Sequence, residues 1–341
     1  MRISSAVTLV FAFATVVAIL AGCSTGGSPL APSVLSGDNI FGDGALHALS
    51  APEAADRGIY VTSFAFTELG VPGYSSGNRK NKPPICMTPF SARTENDVAV
   101  DGVGNVMIPD NADKSLFIGA GPGMCGAQAG TITDPYGEPA DASSANALTG
   151  RIAVLNPLDN LSKAGSISVC TLSGGCTHNL KNVNMFRLNG VAMDNSGNCW
   201  ASALLKTGVA TLTYFKGCAG KGVAATGFQN VSPGGLDIDS SGNLVSIDGE
   251  FASNGPGQVW VYSGCNPACT LVGGPFPLIG QSAFGHLNHL GNRFATADSQ
   301  HNQIDVYSYS PTSITFLYSF NNGIPQNGTV EGVAYNPRSS Q

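Results

Sequence analysis

The chain has 341 residues with 44 Gly, 20 Pro, only 11% charged side chains and a formal net charge of −6. Few windows of this composition can hold a long amphipathic helix, so a helical bundle is excluded and a glycine-rich β protein is expected. The acidic balance, with no Lys/Arg cluster, argues against a protein that binds by neutralising a nucleic-acid backbone, and no nucleic-acid partner is expected.

Met1 and Arg2 give a short positive start, followed over residues 6–20 by an apolar and small-residue run too short to span a bilayer comfortably. No Asp, Glu or Lys precedes Asp38. Leu20-Ala21-Gly22-Cys23 then resembles the lipobox of bacterial lipoproteins. The resemblance implies cleavage before Cys23, acylation of its thiol by chains such as palmitate, and a cell-envelope location with the membrane as partner. Ser24 implies outer-membrane sorting where the organism has two membranes. The expected organisation is a signal peptide over 1–22, a lipidated tether over 23–54 and a folded domain over 55–341. A Gly/Ser-type tether of ~27 residues has a root-mean-square reach of roughly 30 Å.

Nine cysteines less Cys23 leave eight in a chain expected to leave the reducing cytosol, so disulfides are expected. Cys170 with Cys176 and Cys265 with Cys269 lie close enough for one turn to hold each pair. Proximity favours Cys199 with Cys218 and Cys86 with Cys125. With no C-x-x-C pair, a cysteine-ligated metal is the weaker reading.

A repeat dominates the remainder. Short β-rich runs meet Asp-x-x-Gly turns at Asp101-Gly102-Val103-Gly104, Asp194-Asn195-Ser196-Gly197 and Asp239-Ser240-Ser241-Gly242, with a degenerate copy at Asn288-His289-Leu290-Gly291. Asp or Asn bonds back to the backbone there, and Gly takes the positive φ of a tight hairpin. Second and third strands follow each turn. The turn residues at 194, 239 and 288 are 45 and 49 residues apart, the size of a propeller blade, and the 93 residues from Asp101 to Asp194 leave room for one more. That blade is expected to take its turn from residues 131–137, with later strands over 150–155 and 166–170. Residues 331–337 read as a first strand with nothing after it, and 58–63 as a second strand with nothing before it. Joined, they complete a sixth blade and remove the exposed edge. The expected fold is all-β, a six-bladed β-propeller closed by its N- and C-terminal strands.

This pattern resembles NHL-type and SMP-30/gluconolactonase-like propellers over 55–341. The resemblance places a site where first strands enter the channel, at Glu331, Asn96, Ala129, Asn189, Gly234 and Ala283. It also implies a divalent cation on the axis, held by a Glu, an Asn and an Asp. Glu331-Gly332 and Asn189-Gly190 match two of these, and Asn96-Asp97 is similar to the family's substrate-contact pair, one blade early. Gly234 stands where the Asp is required, and Asp237, three residues along, is expected to face away from it. The candidate axial site is therefore Glu331, Asn96 and Asn189, with no metal ligand set assigned.

Other patterns carry less. His286 and His289 at i, i+3 on a strand point to opposite faces and read as a turn histidine or blade filler. Gly73-Tyr74-Ser75-Ser76-Gly77 lacks the strand-to-helix context of a nucleophile elbow. Asp110, Asp248 and Asp298 end second strands and are expected to bind neighbouring backbone. Two functions follow: a non-enzymatic, membrane-tethered module binding a protein or glycan, or alternatively a metal-dependent hydrolase of lactones or esters.

Overall fold

Six hairpin-bearing sheets grow from the repeated turn. The computed structural model describes residues 58–63, 70–90, 96–121, 123–157, 164–249, 255–325 and 329–337. The expected signal segment over 1–22, Cys23 and the expected tether lie outside the described residues. In the first turn Asp101 Oδ1 accepts from the backbone N–H of Val103 (3.0 Å) and Asn105 (2.9 Å), and Oδ2 accepts from Asn105 Nδ2 (2.6 Å). Asp239 holds Ser241 and Asn243 in the same way, and Asp194 holds Asn198. At the fourth turn the amide of Asn288 donates instead, from Nδ2 to Asn292 Oδ1 at 2.9 Å. Gly104, Gly197, Gly242 and Gly291 have φ of 95°, 79°, 77° and 61°, where a side chain would cost roughly 1–2 kcal/mol.

Blade 1 contains β1 (Gly58–Ser63), β2 (Pro72–Tyr74) and β3 (Cys86–Met87). Blade 2 is β4 (Ala99–Val100), β5 (Val106–Asp110), β6 (Ser115–Gly119) and β7 (Gln128–Thr133), and blade 3 is β8 (Asp141–Ser143), β9 (Ile152–Asn156), β10 (Ser166–Thr171) and β11 (Gly175–Leu180). Blade 4 follows as β12 (Arg187–Met193), β13 (Cys199–Leu204), β14 (Ala210–Phe215) and β15 (Val223–Ala224). Blade 5 is β16 (Pro233–Ile238), β17 (Leu244–Asp248), β18 (Gln258–Ser263) and β19 (Thr270–Pro277), and blade 6 is β20 (Gly285–Leu287), β21 (Arg293–Asp298), β22 (Gln303–Ser310) and β23 (Ser313–Phe320). The last strand, β24 (Val330–Asn336), returns to blade 1 as its inner strand, in the order β24-β1-β2-β3. Gly58 pairs with Asn336 and Val61 with Val333. The molecule is thus a six-bladed propeller whose ring is closed by a strand from each end.

Closure also joins the core. Ile59, Val61, Val333 and Tyr335 of blade 1 pack with Ile304 and Val306 of blade 6, and Leu155 and Ile167 of blade 3 pack with Val191 and Met193 of blade 4. Each such aliphatic side chain contributes about 1.5–3 kcal/mol when fully buried, so an open ring would forfeit one whole inter-blade layer.

Blade 3 departs from expectation. Residues 131–137 do not supply its turn: Gln128–Thr133 is the outer strand of blade 2, and Asp134 binds Tyr136 N–H (2.9 Å) and Asn156 Nδ2 (3.0 Å) in the connection between blades. The true first strand, Asp141–Ser143, leads into a longer turn without the Asp-x-x-Gly pattern. That turn is held locally by Asn146, which accepts from the N–H groups of Leu148 (3.1 Å), Thr149 (3.3 Å) and Gly150 (2.8 Å), and by its neighbour, because Ala147 N–H donates to Asp101 Oδ2 at 2.7 Å.

The structure pairs Cys86 with Cys125, Cys170 with Cys176, Cys199 with Cys218 and Cys265 with Cys269. The first of these ties the outer strand of blade 1 to the β6–β7 connection of blade 2. Four disulfides among the described residues fit an exported protein. Among the described residues no helix is long and apolar enough to cross a membrane.

Candidate functional site at the channel mouth

Every inner strand starts at one end of the channel, the entry end, and runs to the other, the turn end, where the Asp-x-x-Gly turns lie. Connections between blades, and those between second and third strands, therefore also lie at the entry end. The residues that begin or precede the inner strands form a cup of about 320 Å³ there, lined by Asn96, Ala140, Asn189, Gly234 and Ala283. Ala140 occupies the blade 3 position. Ala129 does not, because it lies on outer strand β7. Arg187 lines the same cup from the first position of β12, together with Asn111, Ser232 and a wall that includes Leu188, Leu204 and Phe284. The cup thus offers amide and hydroxyl groups, one guanidinium and an apolar wall.

Gly234 is not a vacated carboxylate position. A Cβ there would strike the Ala283 carbonyl oxygen, and one on Gly190 would strike Gly234 O. Inner strands β12, β16 and the start of blade 6 approach backbone to backbone, with Ser202 Oγ donating to Gly234 O at 2.6 Å and Gly235 N–H to Ala283 O at 2.7 Å. Glycine is required here by packing.

Below the mouth lies a cluster that the sequence reading did not assemble. His286 of β20 is 5% exposed, and its Nε2 lies 3.2 Å from Asp97 Oδ2 while Nδ1 lies 3.5 Å from Asp237 Oδ2. Asp141 is in hydrogen-bonding contact with Asp97. All three carboxyls also accept backbone N–H groups. Asp97 takes Val98 N–H at 2.8 Å, Asp141 takes Ala142 N–H at 2.6 Å, and Asp237 takes Ile238 N–H at 2.8 Å. Two of them reach the next blade, Asp141 to Val191 N–H (3.1 Å) and Asp237 to Leu287 N–H (2.8 Å). The carboxylates therefore staple neighbouring inner strands, and His286 spans the channel between them.

The electrostatics follow from burial. Burial alone would depress the His286 imidazole, but Asp97 and Asp237 outweigh it and push its pKa up to about 10. Burial raises Asp97 despite the opposing pull of His286, and burial together with Asp97 raises Asp141 well above the usual carboxylate range. Glu331 is pushed up to about 7, first by burial and then by the Asp97 charge.

The expected axial residues are only partly brought together. Asn96 and Asn189 share the cup, whereas Glu331 is not among its lining residues and feels the Asp97 charge, while the neighbouring Gly332 packs so closely on Asp97 that it leaves no room for a side chain. Asp237 sits deeper, because a register shift between Pro233 and Leu236 turns it to His286. His286 is neither turn residue nor filler, and His289 stays in the hairpin turn. Asp248 binds the N–H groups of Val231 (2.6 Å) and Ser232 (2.8 Å), fixing the cup's rim, and Asp298 binds Gln300 and His301 N–H at 3.0 Å each. The available signal was position: Asp97 stands two residues before inner strand β4, and His286 falls on inner strand β20.

No family model matches this chain, and no curated protein matches it. Among solved structures it is similar to a chain of a nidogen/laminin complex, at 13% identity and a TM-score of 0.57, over 83% of this chain and 98% of that one. A protein of unknown function from Bacteroides caccae matches at 11% identity and a TM-score of 0.52, over 82% and 99%. A functionally unknown protein from Desulfotomaculum acetoxidans matches at 14% and 0.50, over 78% and 80%. At such identities the likeness is one of fold.

Proposed function

We propose that this chain is a membrane-tethered β-propeller that binds a partner in the cup at the entry end of its channel. The observation that carries the reading is the cup itself: convergent amides of Asn96 and Asn189, the Arg187 guanidinium and an apolar wall, mounted on inner strands that cannot shift independently. The channel beneath is filled by paired ionisable groups, which suits a rigid floor. The lipobox at Cys23 supports the tether, and the disulfides support export. The hydrolase alternative has less to rest on, because Gly234 is held glycine by Ala283 O and Glu331 is not among the residues lining the cup.

A photo-crosslinking amino acid at Asn189, compared with one at Val103 in the opposite turns, tests the reading in intact cells. Discrete adducts from Asn189 but not Val103 are expected, and equal or absent labelling at the two would refute it. Cys23→Ala is expected to release the protein from the membrane fraction. A lactone panel assayed with Ca²⁺, Mg²⁺, Mn²⁺ and Zn²⁺ addresses the alternative, with turnover abolished by Glu331→Gln favouring the enzyme.

A further inference from the structure

Charge is distributed very unevenly around this ring. Residues 166–224, which hold β10 to β15, carry five cationic side chains (Lys181, Arg187, Lys206, Lys216 and Lys221) against a single carboxylate, Asp194. The chain as a whole has a formal net charge of −6. The cations occur singly in the sequence, so only the blade assignment shows that they share one sector.

In and beside that sector the entry end also exposes apolar side chains. Val183 is 91% exposed, Val231 69%, Val209 57% and Phe186 38%. Val183 and Phe186 lie in the blade 3 to blade 4 connection, Val209 in the β13–β14 hairpin, and Val231 in the blade 4 to blade 5 connection. These segments are tied to one another: Thr211 Oγ1 donates to Asn184 O at 2.7 Å, and Asn182 Nδ2 donates to Lys221 O at 2.7 Å. Asp248 fixes the segment bearing Val231. The apolar side chains are therefore presented on anchored backbone, interspersed with exposed Lys181, Arg187 and Lys206. Arg187 and Ser232 continue the ledge into the cup.

We propose that the cup and its blade 4 rim form a docking surface for an acidic peptide segment of a partner protein, one in which carboxylates alternate with apolar side chains. This rests on the cup being a binding site and names the chemistry it selects. Carboxylates answer Arg187 and Lys206, the partner's apolar side chains cover Val183, Val209 and Val231, and its backbone meets the amides of Asn96 and Asn189. A lipid surface would use the cations and valines but leave the concave cup unfilled, and a neutral glycan would leave the cations unanswered. Only the acidic, apolar peptide uses all three features.

The test is fluorescence anisotropy on the folded, disulfide-intact protein. The probe is a labelled synthetic peptide with Glu and Phe interspersed among Gly and Ser, run beside its Lys-for-Glu counterpart. Anionic phosphatidylglycerol vesicles and a single-stranded oligonucleotide form separate arms. The acidic peptide is expected to bind, with affinity falling as salt rises. Arg187→Glu with Lys206→Glu should weaken it by about tenfold, equivalent to about 1.4 kcal/mol, and Val183→Ser with Val231→Ser should weaken it at unchanged charge. Lys80→Glu, in the connection between β2 and β3, should leave it unaltered. Melting temperatures confirm that each variant is folded. Equal binding of the basic peptide, indifference to the paired charge reversal, or binding only to vesicles or the oligonucleotide would overturn the proposal. Any of these could occur with Asn189 still crosslinking in cells, so the two readings fail separately.

Discussion

His286 is positioned to offset buried negative charge, and its protonation dictates how the inner strands respond to pH. In the folded chain it keeps its proton to about pH 10, against 6.5 in the unfolded chain. Its stabilising contribution is therefore complete below pH 6.5 and is lost as pH rises toward 10. His286→Gln leaves Asp97 and Asp237 without a counter-cation, a change that costs about 3–5 kcal/mol for buried pairs. Thermal melts across pH 5–9 should show a lower melting temperature for the variant, with the deficit greatest below pH 6.5 and narrowing on the alkaline side, where the parent itself loses the His286 contribution, and a parent-like melt at pH 6 would rule out the pairing. Glu331 titrates near 7 when folded and 4.5 when unfolded. The proton it binds stabilises the fold fully below pH 4.5 and no longer does so above about 7. Glu331→Gln should therefore raise the melting temperature by a few degrees at pH 8 and leave it unchanged at pH 4. The repeat puts Asp97 just ahead of inner strand β4 and His286 on inner strand β20, but only ring geometry decides which of these residues face one another across two blades. That is why the sequence offered Asn96, Asn189 and Glu331, each recognisable from its neighbours, and not the cluster beneath them.

At the scale of elements, turn chemistry was the readable part. Asp101, Asp194 and Asp239 each fix two or more groups of their own hairpin, and such local bonds are written in consecutive residues. Blade 3 was misjudged because its turn is longer and centred on Asn146 rather than on an Asp-x-x-Gly pattern, and part of its support comes from Asp101 of the preceding blade. Gly234 was likewise unreadable, since its requirement for no side chain comes from Ala283 on another blade. Strand β24 was legible as a first strand lacking a second. Its removal, by deleting residues 329–341, should strip β1 of its six paired positions and expose the blade 1 to blade 6 layer. The expected result is loss of cooperative unfolding in urea, and an unchanged midpoint would refute closure by β24.

For the whole molecule, the disulfides differ in what they constrain. Cys86–Cys125 closes a span of 39 residues and links two blades, whereas Cys265–Cys269 closes a span of 4 within one. Chain-entropy reasoning assigns these about 4 and about 2 kcal/mol. Cys86→Ser with Cys125→Ser should thus lower the melting temperature clearly more than Cys265→Ser with Cys269→Ser, and the reverse order would show that inter-blade stapling is unimportant. The pairing of Gly58 with Asn336 has a different consequence. The beginning of β1 and the end of β24 emerge side by side at the turn end, away from the cup, so a short linker can fuse them and new ends can be opened at the exposed Pro311-Thr312 hairpin. Such a circular permutant should fold with the same six blades and the same cup, because no blade depends on being first in the chain. The point from which the proposed tether leaves the ring would then move with the new ends, which would make the direction in which the cup faces an experimental variable.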